Sequence, residues 1–231
     1  MSYNLKSSLE KAFGYVSVIA KEPVILKFDD KEIILNNQVS RDNIKISDFY
    51  FRDYSCMNFP GCVICCSKVK FWNIFTMKQH EAIKKDGIEL TGEIKEISIN
   101  SKESKIYVED HTVKECPHMI DGCRVHLDNP IHCMLPLVKF KERNVKLCIT
   151  KEVFGRNWQF GCPINVSVFE PIKPENYYYR CIRPLEKVKE FAEQFNVDTH
   201  IDYIIDLVNL RYSEWKSKSV RGVHNSLDNL F

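Results

Sequence analysis

The sequence predicts an α+β fold: a single loop-rich domain organised around a cysteine metal centre, with β-hairpins and a helical carboxyl-terminal part. Three observations predict this class. Two segments read as β-hairpins, later segments repeat apolar residues at helical spacing, and most of the ten cysteines cluster in loops. A chain of 231 residues that is 44% hydrophobic can bury a core without needing disulfides.

The two hairpins are predicted at residues 24–35 and 94–108. In the first, two runs rich in β-branched residues flank Asp29 and Asp30. In the second, IKEISI and SKIYV flank a polar turn. Both segments therefore predict antiparallel strand pairs.

Helices are predicted after the first cysteine group and near the carboxyl terminus. Thr76 and Gln79 form the pattern of a capping box, and Gly87 supplies a stop. Pro184 opens a second helical pattern, which resumes after a break at residues 196–198. The apolar stripes of these helices are typical of core packing.

Three regions are expected along the chain. Residues 1–183 form a cysteine-cluster metal-binding domain with an amino-terminal hairpin, residues 184–215 form helices packed on it, and residues 216–231 form a flexible tail. The amino terminus lacks the apolar run of a signal peptide, and no apolar stretch reaches the roughly 18 residues that span a bilayer. We therefore expect a cytoplasmic protein without a membrane partner, in a compartment that keeps thiols reduced. A net charge of +2 is too small to indicate nucleic-acid binding by itself.

Two groups of cysteines predict a metal centre. The first lies in CMNFPGCVICC, the second in CPHMIDGCRVHLDNPIHC, and one more cysteine follows in QFGCPIN. Thiolates are soft ligands for zinc, iron and iron–sulfur clusters, and a two-residue gap lets two of them meet at one ion. The neighbouring prolines and glycines mark loops, where packing gives little reason for cysteine. The predicted ligands are Cys56, Cys62, Cys65, Cys66, Cys116, Cys123, Cys133 and Cys162.

The remaining cysteines and two histidines need separate interpretations. Cys148 and Cys181 stand alone between apolar or aromatic neighbours and are expected to pack as small hydrophobes. The adjacent Cys65 and Cys66 point to opposite sides of an extended chain, so they serve two metals, or one of them is a spare thiol. His126 and His132 lie in the second group and could each replace a cysteine, although a loop histidine is more often a surface residue.

The motifs follow one another in the order Cys-x5-Cys-x2-Cys-Cys, a helix, Cys-Pro, Gly-Cys, Pro-x2-Cys-x2-Pro and Gly-Cys-Pro. This order resembles that of the zinc- or iron-chelating cysteine-cluster proteins of the YkgJ family. It is similar to the cysteine pattern of flagellin lysine N-methylases as well. The resemblance spans residues 50 to 165 and implies a metal or iron–sulfur protein. The matching positions are the eight clustered cysteines together with Pro117, Gly122, Pro130 and Pro136.

The chain departs from that family at the third motif. The family commonly has Arg-Pro-x2-Cys-Arg, where this chain has Asn129 before the proline and Met134 after the cysteine. It also tends to have an aromatic residue at the position of His126. The two missing arginines remove cations that could hold an anionic substrate, so a shared metal site is better founded than a shared activity.

Several catalytic motifs do not occur in the sequence. There is no GxxxxGK[ST], GxGxxG or GxSxG pattern, and HEAIK at residues 80–84 lacks the second histidine of a zincin. The leading hypothesis is a metal- or iron–sulfur-binding protein acting as a redox or group-transfer enzyme at a thiolate-bound metal. Iron or an iron–sulfur cluster is favoured, with zinc as the alternative. The alternative function is a non-enzymatic, zinc-stabilised module that binds nucleic acid or protein.

The carboxyl-terminal tail suggests a partner. Leu227, Leu230 and Phe231 follow a polar spacer and resemble the short peptides that dock on DNA sliding clamps. The competing interpretation is a tail that folds back on its own core. The clamp hypothesis predicts that the protein works on or near replicating DNA.

Overall fold

The computed structural model describes residues 4–53, 72–111, 118, 139–143, 146–150 and 170–220. Within them the chain has the predicted α+β fold, in which helices pack on an antiparallel sheet of five strands. No helix in these ranges is long and apolar enough to cross a membrane. The described residues contain four α-helices: α1 (Leu5–Ile19), α2 (Met77–Lys85), α3 (Arg183–Gln194) and α4 (Ile201–Val220).

In the part of the chain that the structure describes, the strands form three sheets. The main sheet has the order β2-β1-β6-β7-β5, and the smaller ones have the orders β3-β9-β8 and β10-β4. The strands are β1 (Val24–Phe28), β2 (Lys31–Leu35), β3 (Ile44–Ile46), β4 (Arg52–Asp53), β5 (Trp72–Thr76), β6 (Glu93–Ile99), β7 (Lys102–Asp110), β8 (Lys139–Arg143), β9 (Lys146–Thr150) and β10 (Glu170–Pro171).

Both predicted hairpins are confirmed, and local turn chemistry explains them. β1 and β2 are joined by Asp29 and Asp30, whose φ angles are 46° and 56°. β6 and β7 are joined by Asn100 and Ser101, at 48° and 64°. Two consecutive residues with positive φ match the right-handed twist of the flanking strands, and Asp and Asn tolerate this conformation better than most residues.

The capped helix α2 is also confirmed. The Thr76 side chain accepts a hydrogen bond from the Gln79 N–H, and the Gln79 side chain accepts one from the Thr76 N–H. Gly87 follows the helix with a φ of 73°, which glycine adopts without steric penalty. The capping box thus fixes α2 directly after β5.

One large core lies on the inner face of the main sheet, the face that carries Ile106 and Val108 of β7. The helix α1 packs there together with α3 and α4. Phe13 of α1 contacts Phe191 and Phe195, with ring centroids 5.2 and 5.1 Å apart. The helices predicted at the carboxyl terminus therefore share one core with the amino-terminal part of the chain.

Cys181 lies in this core with a fully buried side chain, as expected for a packing cysteine. Its carbonyl accepts a hydrogen bond from the Tyr50 hydroxyl over 2.8 Å. Burial raises the pKa of the Cys181 thiol to about 12. Cys148 falls within β9, in register with Lys45 and Lys141.

Three features of the fold differ from the sequence analysis. The amino-terminal segment forms the fifteen-residue helix α1, which composition alone did not predict. The antiparallel strands β8 and β9 lie inside the cysteine-cluster domain, which was expected to be loop-rich. The helix α4 continues to Val220 and so includes the first five residues of the expected tail, 216–220.

Candidate metal site on the outer face of the sheet

The outer face of the main sheet carries α2 and a smaller apolar cluster. Side chains alternate along a strand, so Tyr107 and Glu109 of β7 point away from the large core. Phe75, Ile83 and Tyr107 form the small cluster, with Ile88 and Leu90 packed against it. Two residues further along the same face, beyond the end of β7, lies His111.

Three ionisable side chains meet on this outer face: Glu109, His111 and His118. They are 1%, 4% and 2% exposed. One potential ligand atom from each lies within 4.8 Å of the corresponding atoms of the other two. Glu109 and His111 come from β7 and the residue after it, whereas His118 lies seven residues further along the chain. We refer to these three residues as the triad.

The carboxylate of Glu109 connects the triad. Its Oε2 lies 2.6 Å from His118 Nε2 and 3.3 Å from His111 Nε2. An ionised carboxylate only accepts hydrogen bonds, so each imidazole donates its Nε2–H to Oε2. The contact with His118 has the short length of a charge-assisted hydrogen bond. All three ligand atoms thus converge on one point.

The other carboxylate oxygen has a separate partner. Glu109 Oε1 accepts a hydrogen bond of 3.0 Å from the backbone N–H of Thr91. Burial by itself raises the pKa of Glu109, but the hydrogen bonds from His111, His118 and Thr91 outweigh it and lower the pKa to about 2. The carboxylate is therefore ionised at neutral pH despite its burial.

Aromatic rings and an amide surround the triad. The Phe75 ring meets His118 edge-on, with centroids 6.2 Å apart. Asn73 of β5 is directly opposite Glu109 in the strand register and is buried. One turn into α2, the His80 ring stacks on Tyr107 with centroids 4.3 Å apart. Among the described residues, the buried Nδ1 of His80 has no hydrogen-bond partner.

The two distances from the histidines to Glu109 fit a metal ion with small adjustments. Zinc binds imidazole nitrogen and carboxylate oxygen at roughly 2.0–2.2 Å, which places tetrahedral ligands about 3.3 Å apart. The His111 contact already has this separation, and His118 Nε2 would have to retreat from Oε2 by less than about 1 Å. An ion at this point would replace the two Nε2 protons. A two-histidine, one-carboxylate set is used by zinc hydrolases and non-haem iron oxygenases.

The predicted thiolate site lies outside the described residues. This holds for Cys56, Cys62, Cys65, Cys66, Cys116, Cys123, Cys133 and Cys162, for His126 and His132, and for the tail residues Leu227, Leu230 and Phe231. Their proposed roles therefore stay predictions. The triad was not predicted, although His118 lies within the second cysteine motif, two residues after Cys116.

A sequence signal for part of the triad does exist. The second hairpin was predicted to end at residue 108, one residue before Glu109. Extending the strand alternation by three residues places Glu109 and His111 on one face, and a glutamate and a histidine two residues apart on a strand can share a ligand. The contribution of His118 has no comparable local signal.

No family model, curated protein or solved structure matches the chain. The similarity to the cysteine-cluster family therefore remains a resemblance of motifs. The chemistry of the described side chains supplies the evidence for function.

Proposed function

We propose that this protein is a metal-binding protein with an ion at Glu109, His111 and His118. The observation that carries the proposal is the convergence of the three ligand atoms within 4.8 Å in a buried position. Two imidazoles and one carboxylate form a donor set suited to Fe²⁺ or Zn²⁺. Three protein ligands leave room for a further ligand, which is the arrangement of catalytic rather than structural metal sites.

The energetics of the triad support a ligand role. Burying a carboxylate away from water costs several kcal/mol unless it is well paired, and replacing buried charged groups by apolar ones is often neutral or stabilising. Glu109 and both histidines are nonetheless buried beside Phe75 and Tyr107, where apolar side chains would fit. A bound cation would replace the two Nε2 protons and accept one electron pair from each of the three groups.

The clustered cysteines extend the proposal to a second class of ligand. We propose that they hold iron or an iron–sulfur cluster, with zinc as the alternative, and that the protein is a redox or group-transfer enzyme. The support is their motif spacing, together with the position of His118 between Cys116 and Cys123. The triad and the thiolates are separate claims, and their metals can be counted separately.

The non-enzymatic alternative is a zinc-stabilised module that binds nucleic acid or protein. The burial of all three triad side chains favours it, because a buried ion is less accessible to water or substrate as a further ligand. The two functions differ in whether a small external ligand reaches the ion. Azide or cyanide should alter the spectrum of the cobalt-substituted protein if the metal is catalytic and leave it unchanged if it is structural.

Metal counting tests the triad directly. The full-length chain is stripped with chelator under anaerobic conditions and titrated with Co²⁺ or Zn²⁺, and bound metal is measured per chain. His118→Ala and Glu109→Gln should each lose one equivalent, because each removes one of three ligands. His200→Ala is the matched control, since this half-buried histidine packs near Arg41, away from the triad.

The ten thiols can also bind the added ion, so the spectrum decides which metal is lost. Thiolate-to-cobalt charge-transfer absorption should persist in the triad variants and disappear in Cys62→Ser or Cys133→Ser. Triad variants that retain the full metal content of the wild type would overturn the proposal. Loss of all metal from every variant, with an altered fold, would show that the sites are not independent.

A further inference from the structure

The segment between α2 and β6 contacts the triad through its backbone. The Thr91 N–H donates to Glu109 Oε1 over 3.0 Å, while the Thr91 residue itself is exposed. The next residue, Gly92, donates its N–H to the hydroxyl oxygen of Tyr107. Two consecutive peptide N–H groups therefore hold two outer-face side chains of β7.

Gly92 permits this close approach. A Cβ atom at Gly92 would lie 1.9 Å from the carbonyl oxygen of Val108 and 2.7 Å from Cγ of Glu109. Any other residue would push this backbone away from β7 or displace the Glu109 side chain. The absence of a side chain at position 92 thus allows the Glu109 carboxylate to keep its position.

We propose that the backbone of Thr91 and Gly92 is a positioning clamp that makes Glu109 a one-oxygen ligand and so selects a transition-metal ion over calcium. This inference rests on the proposed metal site. With Oε1 held by Thr91, only Oε2 faces the two Nε2 atoms. Calcium takes six to eight oxygen ligands and often binds both oxygens of a carboxylate, whereas zinc and iron accept imidazole nitrogen with a single carboxylate oxygen.

The clamp also explains how the triad is ordered before metal arrives. Ligating carboxylates are usually held by a hydrogen bond from an outer group, and loss of such a partner typically weakens metal binding by 10–100-fold. Here the outer group is a backbone amide, which does not depend on the identity of the side chain at position 91. The donor can therefore be removed only by changing the backbone.

A matched pair of variants at one position tests the clamp. Thr91→Pro removes the N–H, and Thr91→Ala keeps it while shortening an exposed side chain. Zinc affinity of the full-length protein, measured by competition with a chromophoric chelator, should fall about 10–100-fold in Thr91→Pro and stay within about twofold in Thr91→Ala. The ratio of zinc to calcium affinity should fall in Thr91→Pro as well, because Oε1 becomes available to the ion.

A second pair of variants tests the clamp at Gly92. Gly92→Ala should weaken zinc binding in the same direction, because its Cβ displaces the backbone or the carboxylate. Gly14→Ala is the control, since a Cβ at Gly14 of α1 meets nothing within 4 Å. Circular dichroism of each metal-free variant establishes whether it folds.

The wild-type protein provides a test that does not depend on the folding of a variant. X-ray absorption of the zinc form should show nitrogen and oxygen ligands at roughly 2.0–2.2 Å, separable from thiolate-bound zinc by its Zn–S distance of roughly 2.3 Å, with one carboxylate oxygen from Glu109. Two carboxylate oxygens bound to the ion, or equal zinc affinity in folded Thr91→Pro and Thr91→Ala, would overturn the clamp. Failure of the wild type to bind zinc at the triad would instead overturn the proposed function.

Discussion

The two faces of β7, a strand of nine residues, bury different kinds of side chain. On the inner face, Ile106 and Val108 are fully buried in the core formed with α1. On the outer face, Tyr107 and Glu109 are also buried but carry a hydroxyl and a carboxylate. Burial alone therefore does not separate core positions from candidate site positions on this sheet. The chemistry of the buried group separates them, because a buried carboxylate needs hydrogen bonds or a paired charge and a buried isoleucine needs neither.

The inner face should dominate the stability of the fold. Ile106→Ala removes a fully buried side chain from the large core and should lower the free energy of unfolding by about 2–5 kcal/mol. Ile94→Ala is the control on the outer face, where Ile94 is 50% exposed, and should change it by about 0.5 kcal/mol or less. Urea denaturation of both variants measures the difference. Equal losses would show that the two faces contribute similarly.

In the metal-free protein the triad should lower the stability of the fold, whereas the apolar inner face raises it. The combined variant Glu109→Met, His111→Leu, His118→Leu replaces the buried polar groups with apolar side chains of similar volume. We expect metal-free protein to become more stable by about 1–4 kcal/mol, because burial of charged groups is often more costly than burial of apolar ones. Zinc should raise the melting temperature of the wild type by more than that of the variant, which keeps only the thiolates as zinc ligands.

The single change Glu109→Met sharpens this comparison. It leaves His111 and His118 buried without their shared acceptor and should destabilise the metal-free protein, although it adds an apolar side chain. A combined variant that is less stable than the metal-free wild type would show that the triad stabilises the fold by itself. The outer face would then be structural.

The smallest effect on stability is expected from replacing Cys181, whose thiol is buried in the large core. Cys181→Ala should cost about 1 kcal/mol at pH 7 and leave metal content unchanged. The raised pKa of Cys181, about 12, means that the unfolded chain loses this proton at a lower pH than the folded one. The wild type should therefore lose its advantage over Cys181→Ala as the pH rises from 9 towards 12.

Thiol reactivity provides a second measurement on the same residue. Cys181 should resist alkylation at pH 8 in the folded protein and react after denaturation, because it is fully buried and protonated. Rapid labelling of Cys181 in the native protein, or loss of metal in Cys181→Ala, would contradict its assignment to the core.

The sequence by itself determined the parts of the fold that depend on neighbouring residues. Asp29-Asp30 and the polar turn at residues 100–101 specify hairpins because positive φ angles at two consecutive positions turn the chain back on itself. The exchange of hydrogen bonds between Thr76 and Gln79 specifies the start of α2 in the same local way. The isolated Cys181 was correctly expected in the core, since its apolar and aromatic neighbours indicate burial.

Only the tertiary structure decided the triad. Glu109 and His111 share a strand face, but His118 reaches them from seven residues away and Thr91 contacts Glu109 from the segment before β6. No periodicity relates these positions, because their proximity depends on how α2, β6 and β7 pack. The sequence supplied the residue types, and the fold brought three of them to one buried point, where a carboxylate and two imidazoles can bind an ion.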